Sequence, residues 1–163
     1  MILARSLCLL ALAAPLAAQS AVKHPDLTGT WVLDGTKSTV DGPLPLPTSA
    51  TYVVGTHGDS ITVHVTEVDA AAGAVTLDRL VATDGYSWTN YMTYAGNQLT
   101  LNVVAKWNGA VLSLTTNTDV GGSPVLQTET WALSTDGKVL TQNVTTSIGG
   151  TYYAAQTLVF NKK

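Results

Sequence analysis

The chain has 163 residues, of which 45% are hydrophobic and 12% are charged, and its formal net charge is -3. This composition excludes a disordered chain, which needs low hydrophobicity and high net charge, and a coiled coil, which needs charged heptads. The 8 Lys and Arg residues are scattered along the sequence, so no cluster is suited to neutralise a row of phosphates. We therefore expect no nucleic-acid partner.

Residues 1–20 have the pattern of a cleavable signal peptide. A single cation, Arg5, precedes the apolar run 7–14, and small residues close the segment. A membrane anchor is the alternative, but a membrane span needs about 20 apolar residues. Pro15 and Gln19 interrupt this one too early. The segment is therefore predicted to direct export and to be removed.

Residues 21–163 are predicted to form one domain of a secreted or periplasmic protein, with no stable membrane insertion after cleavage of the signal. The only cysteine, Cys8, belongs to the signal segment. The mature chain therefore has no disulfide, and its stability must come from packing and strand pairing.

Strand patterns dominate the mature chain, with β-branched residues in alternation and short connections rich in Gly, Asn and Asp. No window of helical length has an amphipathic pattern. The ten predicted strands are residues 28–34, 51–56, 60–68, 74–83, 87–94, 98–107, 110–118, 124–133, 138–147 and 151–161. Short connections of this kind link adjacent antiparallel strands. The fold class is therefore all-β.

An up-and-down antiparallel meander of this length would have two open edges if it stayed flat. Closure into a barrel of about 8–10 strands removes them. A β-sandwich is the alternative, but it tends to need longer connections, and only 41–47 and 68–74 qualify. We expect the proline-rich segment 41–47 to cross over the barrel mouth, with a polyproline II motif for a protein partner as the alternative.

Three amides, those of Asn90, Gln142 and Gln156, fall on strand faces that are otherwise apolar. A buried amide without a partner costs about 1–3 kcal/mol, so each needs one. Two interpretations stay open: the amides orient a small molecule in a cavity, or they bond to each other or to Tyr hydroxyls in a filled core. A bulge could also shift a face by one residue. The first interpretation gives these ligand-binding residues: Trp88, Asn90, Met92, Trp107, Gln142, Gln156 and Phe160.

Signals for catalysis and metal binding are weak. His57 and His64 flank a hairpin that contains Asp59, which leaves a metal site or a hydrolase there as the least favoured hypothesis. The carboxylates, Glu67 and Glu129 among them, are predicted mostly at turns or on outer faces, where they keep the sheet soluble. We therefore predict no catalytic residues, no metal and no cofactor.

The segment Thr28-Gly29-Thr30-Trp31 opens the first strand soon after the signal peptide. It resembles the Gly-x-Trp opening of the lipocalin and broader calycin superfamily, in which the Trp closes one end of an up-and-down barrel. The resemblance implies that Gly29 and Trp31 are barrel-closing residues. Lipocalins carry an Arg on the last strand over this Trp, whereas this chain offers Lys162 and Lys163 there.

Segments 26–38, 106–109 and 130–138 look like a group of small exported bacterial lipocalin-like proteins of unassigned role. Kinship with calycins implies a carrier of hydrophobic ligands. We therefore expect a non-catalytic exported barrel that binds a small apolar or aromatic molecule. The alternative is a filled-core structural or protein-interaction module of the cell envelope, acting through its Thr-rich exterior or the loop 42–48. The sequence identifies no protein partner.

Overall fold

Alternating β-branched residues, separated by tight glycine-containing turns, form an antiparallel sheet in the computed structural model, which describes residues 24–69 and 73–163. The predicted signal segment 1–20 lies outside the described residues. The strands are β1 (Gly29–Leu33), β2 (Thr39–Asp41), β3 (Ser49–His57), β4 (Ser60–Asp69), β5 (Gly73–Ala82), β6 (Asp84–Tyr94), β7 (Asn97–Asn108), β8 (Val111–Val120), β9 (Ser123–Leu133), β10 (Val139–Ile148) and β11 (Thr151–Lys162). Nowhere in the described ranges is there a helix long and apolar enough to span a bilayer.

Ten of the strands follow one hydrogen-bonded path, in the order β5, β4, β3, β1, β11, β10, β9, β8, β7, β6. The first strand, β1, and the last strand, β11, are neighbours near the middle of this path. Trp31 of β1 is paired with Lys162 of β11 and with Tyr52 of β3. The predicted all-β meander is therefore confirmed as a nearly closed barrel. In general terms this architecture fits a lipocalin-like fold.

The barrel is incompletely paired between β5 and β6, which lie side by side at the two ends of the path. We call this boundary the seam. No strand ladder joins the two strands. Instead, the backbone N–H of Leu80 in β5 donates a hydrogen bond of 2.8 Å to Oδ1 of Asn90 in β6. A side chain thus takes the place of a backbone acceptor at the seam.

All ten predicted strands are present, with their ends shifted by a few residues. The additional strand, β2, comprises three exposed residues and pairs with β11 beside the barrel path. Three residues next to a proline-rich segment carry too little alternation to be recognised from sequence.

One end of the barrel is filled by large side chains. Trp31, Trp131 and Phe160 are each at most 1% exposed. The Trp31 indole N–H donates to the backbone carbonyl of Leu27 at 2.8 Å, and Nζ of Lys162 lies 5.1 Å from the centre of the indole ring. We call this region the filled end. Trp31 is thus buried at this end of the barrel, with Lys162 of the last strand beside it.

Candidate functional site

The other end of the barrel contains a cavity of about 510 Å³, which is open to solvent at its mouth. Apolar side chains make up most of its wall, including those of Val65, Leu77, Met92, Leu99 and Leu158. Strands alternate their side chains, so the inward residues of nine strands converge on one space. This volume falls within the range typical of small-molecule sites, about 300–1,000 Å³.

Residues 43–47 lie over the mouth of this cavity, and we call them the cover. Pro43, Pro45 and Pro47 all line the space beneath. The Gln156 side-chain amide donates a 2.8 Å hydrogen bond to the carbonyl of Pro45, which ties the cover to β11. The crossing of the barrel mouth predicted for this segment is therefore confirmed.

Four polar side chains form the inner boundary of the cavity, and we call them the polar floor: Tyr52, Arg79, Glu129 and Gln142. The guanidinium of Arg79 donates two hydrogen bonds to the Glu129 carboxylate, at 2.8 and 3.3 Å. Gln142 donates to the same carboxylate at 2.8 Å and accepts from the Tyr52 hydroxyl at 3.2 Å. The polar floor thus separates the cavity from the filled end.

Charge and burial compete at Glu129, which is 3% exposed. Burial alone would raise the pKa of this carboxyl. The charge and hydrogen bonds of Arg79, together with hydrogen bonds from Trp131 and Gln142, outweigh burial and hold the pKa below its ordinary value. Burial likewise raises the pKa of the Tyr52 hydroxyl. Arg79 and Glu129 therefore stay ionised as a pair, and Tyr52 stays neutral.

Two polar atoms of the cavity wall lack hydrogen-bond partners among the described residues: Nε of Arg79 and Oγ1 of Thr118. Arg79 is 8% exposed, but it lines this cavity, so an occupant or a water molecule has access to its Nε–H. A buried donor without a partner costs about 1–3 kcal/mol. The interior therefore retains hydrogen-bonding capacity that its own side chains do not use.

Two more carboxylates, those of Glu67 and Asp69, line the cavity from β4 near its mouth. Both are half-buried. Burial, reinforced by the like charge of Asp69, raises the pKa of Glu67. The side chains of Asp69 and Tyr94 are hydrogen-bonded to each other. We call Glu67 and Asp69 the rim acids.

The structure brings together three of the seven residues predicted to bind a ligand, since Met92, Gln142 and Gln156 all line the cavity. The other four lie elsewhere. Asn90 is buried at the seam, Phe160 belongs to the filled end, and Trp107 packs against the core with its indole stacked on His24 at 4.7 Å. Trp88 is 40% exposed.

Trp88 keeps the register of the residues that follow it in β6. It pairs with Val103, as Asn90 pairs with Leu101, and the register shift between Asp84 and Ser87 lies before it. The inward parity is as predicted, with Asn90 buried and Met92 packed against the core, yet Trp88 on the same parity is exposed. Alternation therefore assigns the side of β6 correctly but does not decide how far an inward side chain is buried.

The protein itself supplies partners for the predicted amides. Gln142 bonds to Glu129 and Tyr52, and Gln156 bonds to the cover. Asn90 accepts from Leu80, but its Nδ2 has no partner among the described residues. A bond to a Tyr hydroxyl, as one of the two interpretations expects, is thus found for Gln142 alone, whereas Gln156 bonds to a backbone carbonyl, which neither interpretation named.

Sequence reasoning missed the charged residues of the interior. The placement of carboxylates on turns or outer faces is wrong for Glu129, which lies in the polar floor, and for Glu67, which lines the cavity. The alternation of side chains along each strand could have identified these inward-facing charged residues. Glu129 shares a face with Trp131, Glu67 with Val65, and Arg79 has the parity of the buried residues of β5.

The histidines singled out from sequence lie away from the cavity. His64 is on the outer face of β4, where Nδ1 is 2.6 Å from Asp78 Oδ1 and Nε2 is 3.4 Å from Thr66 Oγ1. Side-chain exposures of 50% for His64 and 82% for Asp78 leave this contact open to solvent. Across residues 24–69 and 73–163, no group of three or more His, Cys, Asp or Glu side chains is arranged to hold a metal ion.

No protein-family model matches this chain, and no curated protein matches it. The interpretation of the cavity therefore depends on its own residues.

Proposed function

We propose that this chain is an exported, non-catalytic barrel that binds a small, largely apolar molecule in its cavity. The observation that carries the proposal is a cavity of about 510 Å³, open at its mouth, with mainly apolar walls and a few buried polar groups at its inner boundary. Binding sites for small molecules typically combine these features. The Gly29 and Trp31 motif and the nearly closed barrel support kinship with lipocalin-like proteins, whose calycin superfamily includes carriers of hydrophobic ligands.

The proposal assigns the ligand contacts to the cavity, so the aliphatic wall and Met92 surround the ligand while Gln142 and Gln156 hold the polar floor and the cover in place. Trp88 and Trp107 are outside this assignment. Secretion or periplasmic residence is part of the same proposal and is supported by the signal pattern in residues 1–20.

Titration with the uncharged fluorescent dye N-phenyl-1-naphthylamine tests the proposal. We expect saturable binding with enhanced emission. The Leu99→Trp variant, which fills the cavity, should weaken binding by at least about tenfold, because the added indole occupies ligand space. Leu126→Trp is the matched control, because Leu126 is 39% exposed and outside the cavity lining. It should bind the dye like the unsubstituted protein.

Absence of dye binding by the folded protein, or equal binding by both variants, would overturn the proposal. The alternative function, a protein-interaction module acting through the loop 42–48, predicts a different pattern. Under that alternative, the unsubstituted protein does not bind the dye. Replacing the cover then abolishes capture of an envelope partner.

A further inference from the structure

The acidic and basic side chains that line the cavity are unequal in number. They are three carboxylates, from Glu67, Asp69 and Glu129, and one guanidinium, from Arg79. When all four are ionised, the net formal charge of the lining is -2. No Lys or His is among the described lining residues. The wall therefore presents an excess of negative charge to whatever occupies the space.

The cation is already committed to another group. Both terminal nitrogens of Arg79 bond to Glu129, and Glu129 receives further hydrogen bonds from Gln142 and Trp131. An anionic ligand at the polar floor would have to displace this carboxylate or lie beside it. Displacement would leave a buried charge without its partner, which typically costs about 3–5 kcal/mol. A carboxylate-headed ligand therefore has no available cation.

Unlike Glu129, which lies in the polar floor, the rim acids lie near the mouth of the cavity. Glu67 and Asp69 are two residues apart on one strand, so their side chains project from the same face into the mouth. Partial burial weakens the screening that solvent would provide. The Nε–H of the buried Arg79 has no acceptor among the described side chains, so an occupant of the cavity or a water molecule must supply one.

We infer that the cavity selects an amphiphile with an apolar body and a protonated amine, the amine lying at the mouth against the carboxylate of Glu67. A neutral hydroxyl in place of the amine binds less well, and a carboxylate is excluded by repulsion. The inference rests on the proposed function, because it names the class of ligand for the same cavity.

A series of three ligands with the same ten-carbon chain tests it: decylamine, 1-decanol and decanoate. Each displaces N-phenyl-1-naphthylamine from the protein at about pH 8, where an alkylamine is protonated and a carboxylic acid is ionised. We expect decylamine to bind at least about tenfold more tightly than decanoate, with 1-decanol between them. Raising the salt concentration should reduce the difference between amine and carboxylate.

The Glu67→Gln variant removes one charge from the rim and keeps the shape of the side chain. It should weaken decylamine binding by about fivefold to tenfold and leave 1-decanol within about twofold. Asp59→Asn makes the same change of charge in the turn between β3 and β4, away from the cavity lining, and should alter neither affinity.

The outcomes separate the two proposals. If the dye binds and decanoate competes as well as decylamine, the amine inference is overturned while the binding function stands. An unchanged decylamine affinity in Glu67→Gln overturns it equally. If neither the dye nor any ten-carbon ligand binds the folded protein, the proposed function fails and the amine inference fails with it.

Discussion

Arg79 and Glu129 show what a single buried pair can contribute to this barrel. Arg79 is 8% exposed and Glu129 is 3% exposed, and every hydrogen bond between two members of the polar floor involves the Glu129 carboxylate or its Gln142 partner. Removing two charges from water costs several kcal/mol per ion, and the geometry of the pair must offset that cost. The pair is therefore better understood as fixing the arrangement of the interior than as a large source of stability.

Replacing Glu129 with Gln should destabilise the protein by about 3–5 kcal/mol, because the guanidinium of Arg79 would stay buried without its counter-charge. Urea denaturation followed by circular dichroism measures the change. The double variant Arg79→Met with Glu129→Gln should lose less free energy than the sum of the single variants. Additive losses would show that the two side chains act independently.

The depressed pKa of Glu129 predicts how stability depends on pH. Its folded-state pKa lies below the ordinary value of 4.5, so its contribution is present above about pH 4.5 and is lost as pH falls through the folded-state pKa. The free energy of unfolding should fall with acidification below about pH 4.5. Urea melts across this range should show a shallower fall for Glu129→Gln. Identical slopes for both proteins would contradict the assignment.

At the scale of single elements, the cover depends on a close approach at Gly42. The φ angle there is +106°, and a Cβ added to Gly42 would lie 2.6 Å from the carbonyl oxygen of Tyr153 in β11. Side chains other than glycine rarely adopt this backbone conformation. The absence of a side chain at residue 42 thus lets the segment before the cover pass tightly over the last strand.

Gly42→Ala should therefore displace the cover, with a loss of about 1–3 kcal/mol and faster protease cleavage within residues 43–47. Limited proteolysis with mass spectrometry identifies the cut. Gly35→Ala is the control, since nothing lies within 4 Å of an added Cβ there. Unchanged cleavage of the cover in Gly42→Ala would show that the contact with β11 can relax.

The seam makes a second prediction about an element. Hydrogen exchange should show the Leu80 amide protected by Asn90 in the unsubstituted protein and unprotected in Asn90→Leu, because leucine offers no acceptor. Amides of β10, which is paired on both sides, serve as the internal control. Continued protection of Leu80 would mean that β6 supplies another acceptor.

At the scale of the whole molecule, the barrel could be predicted because its signals are local. The alternation of apolar and polar residues, together with glycine-containing turns, predicts ten strands. The need to remove open sheet edges predicts closure into a barrel. The seam and the register shift in β6 carry no comparable signal, because both depend on how twist accumulates around the barrel.

The cavity was only partly predictable for a related reason. Parity identifies which residues point inward, so Met92, Gln142 and Gln156 could be found. Depth along the barrel axis decides whether an inward residue meets the filled end, as Phe160 does, or the cavity. Depth follows from register between strands far apart in sequence, which composition and spacing do not encode.

The pairing of Trp31 with Lys162 has a consequence for how the polypeptide acquires its shape. Most ladders of the barrel path join strands that are also consecutive in the chain. The ladder between β1 and β11 instead joins residues 131 positions apart. Contacts of such long separation are slow to form. A polypeptide that is still being synthesised cannot complete the circumference of the barrel until β11 has been made, so closure must wait until all the preceding strands are available.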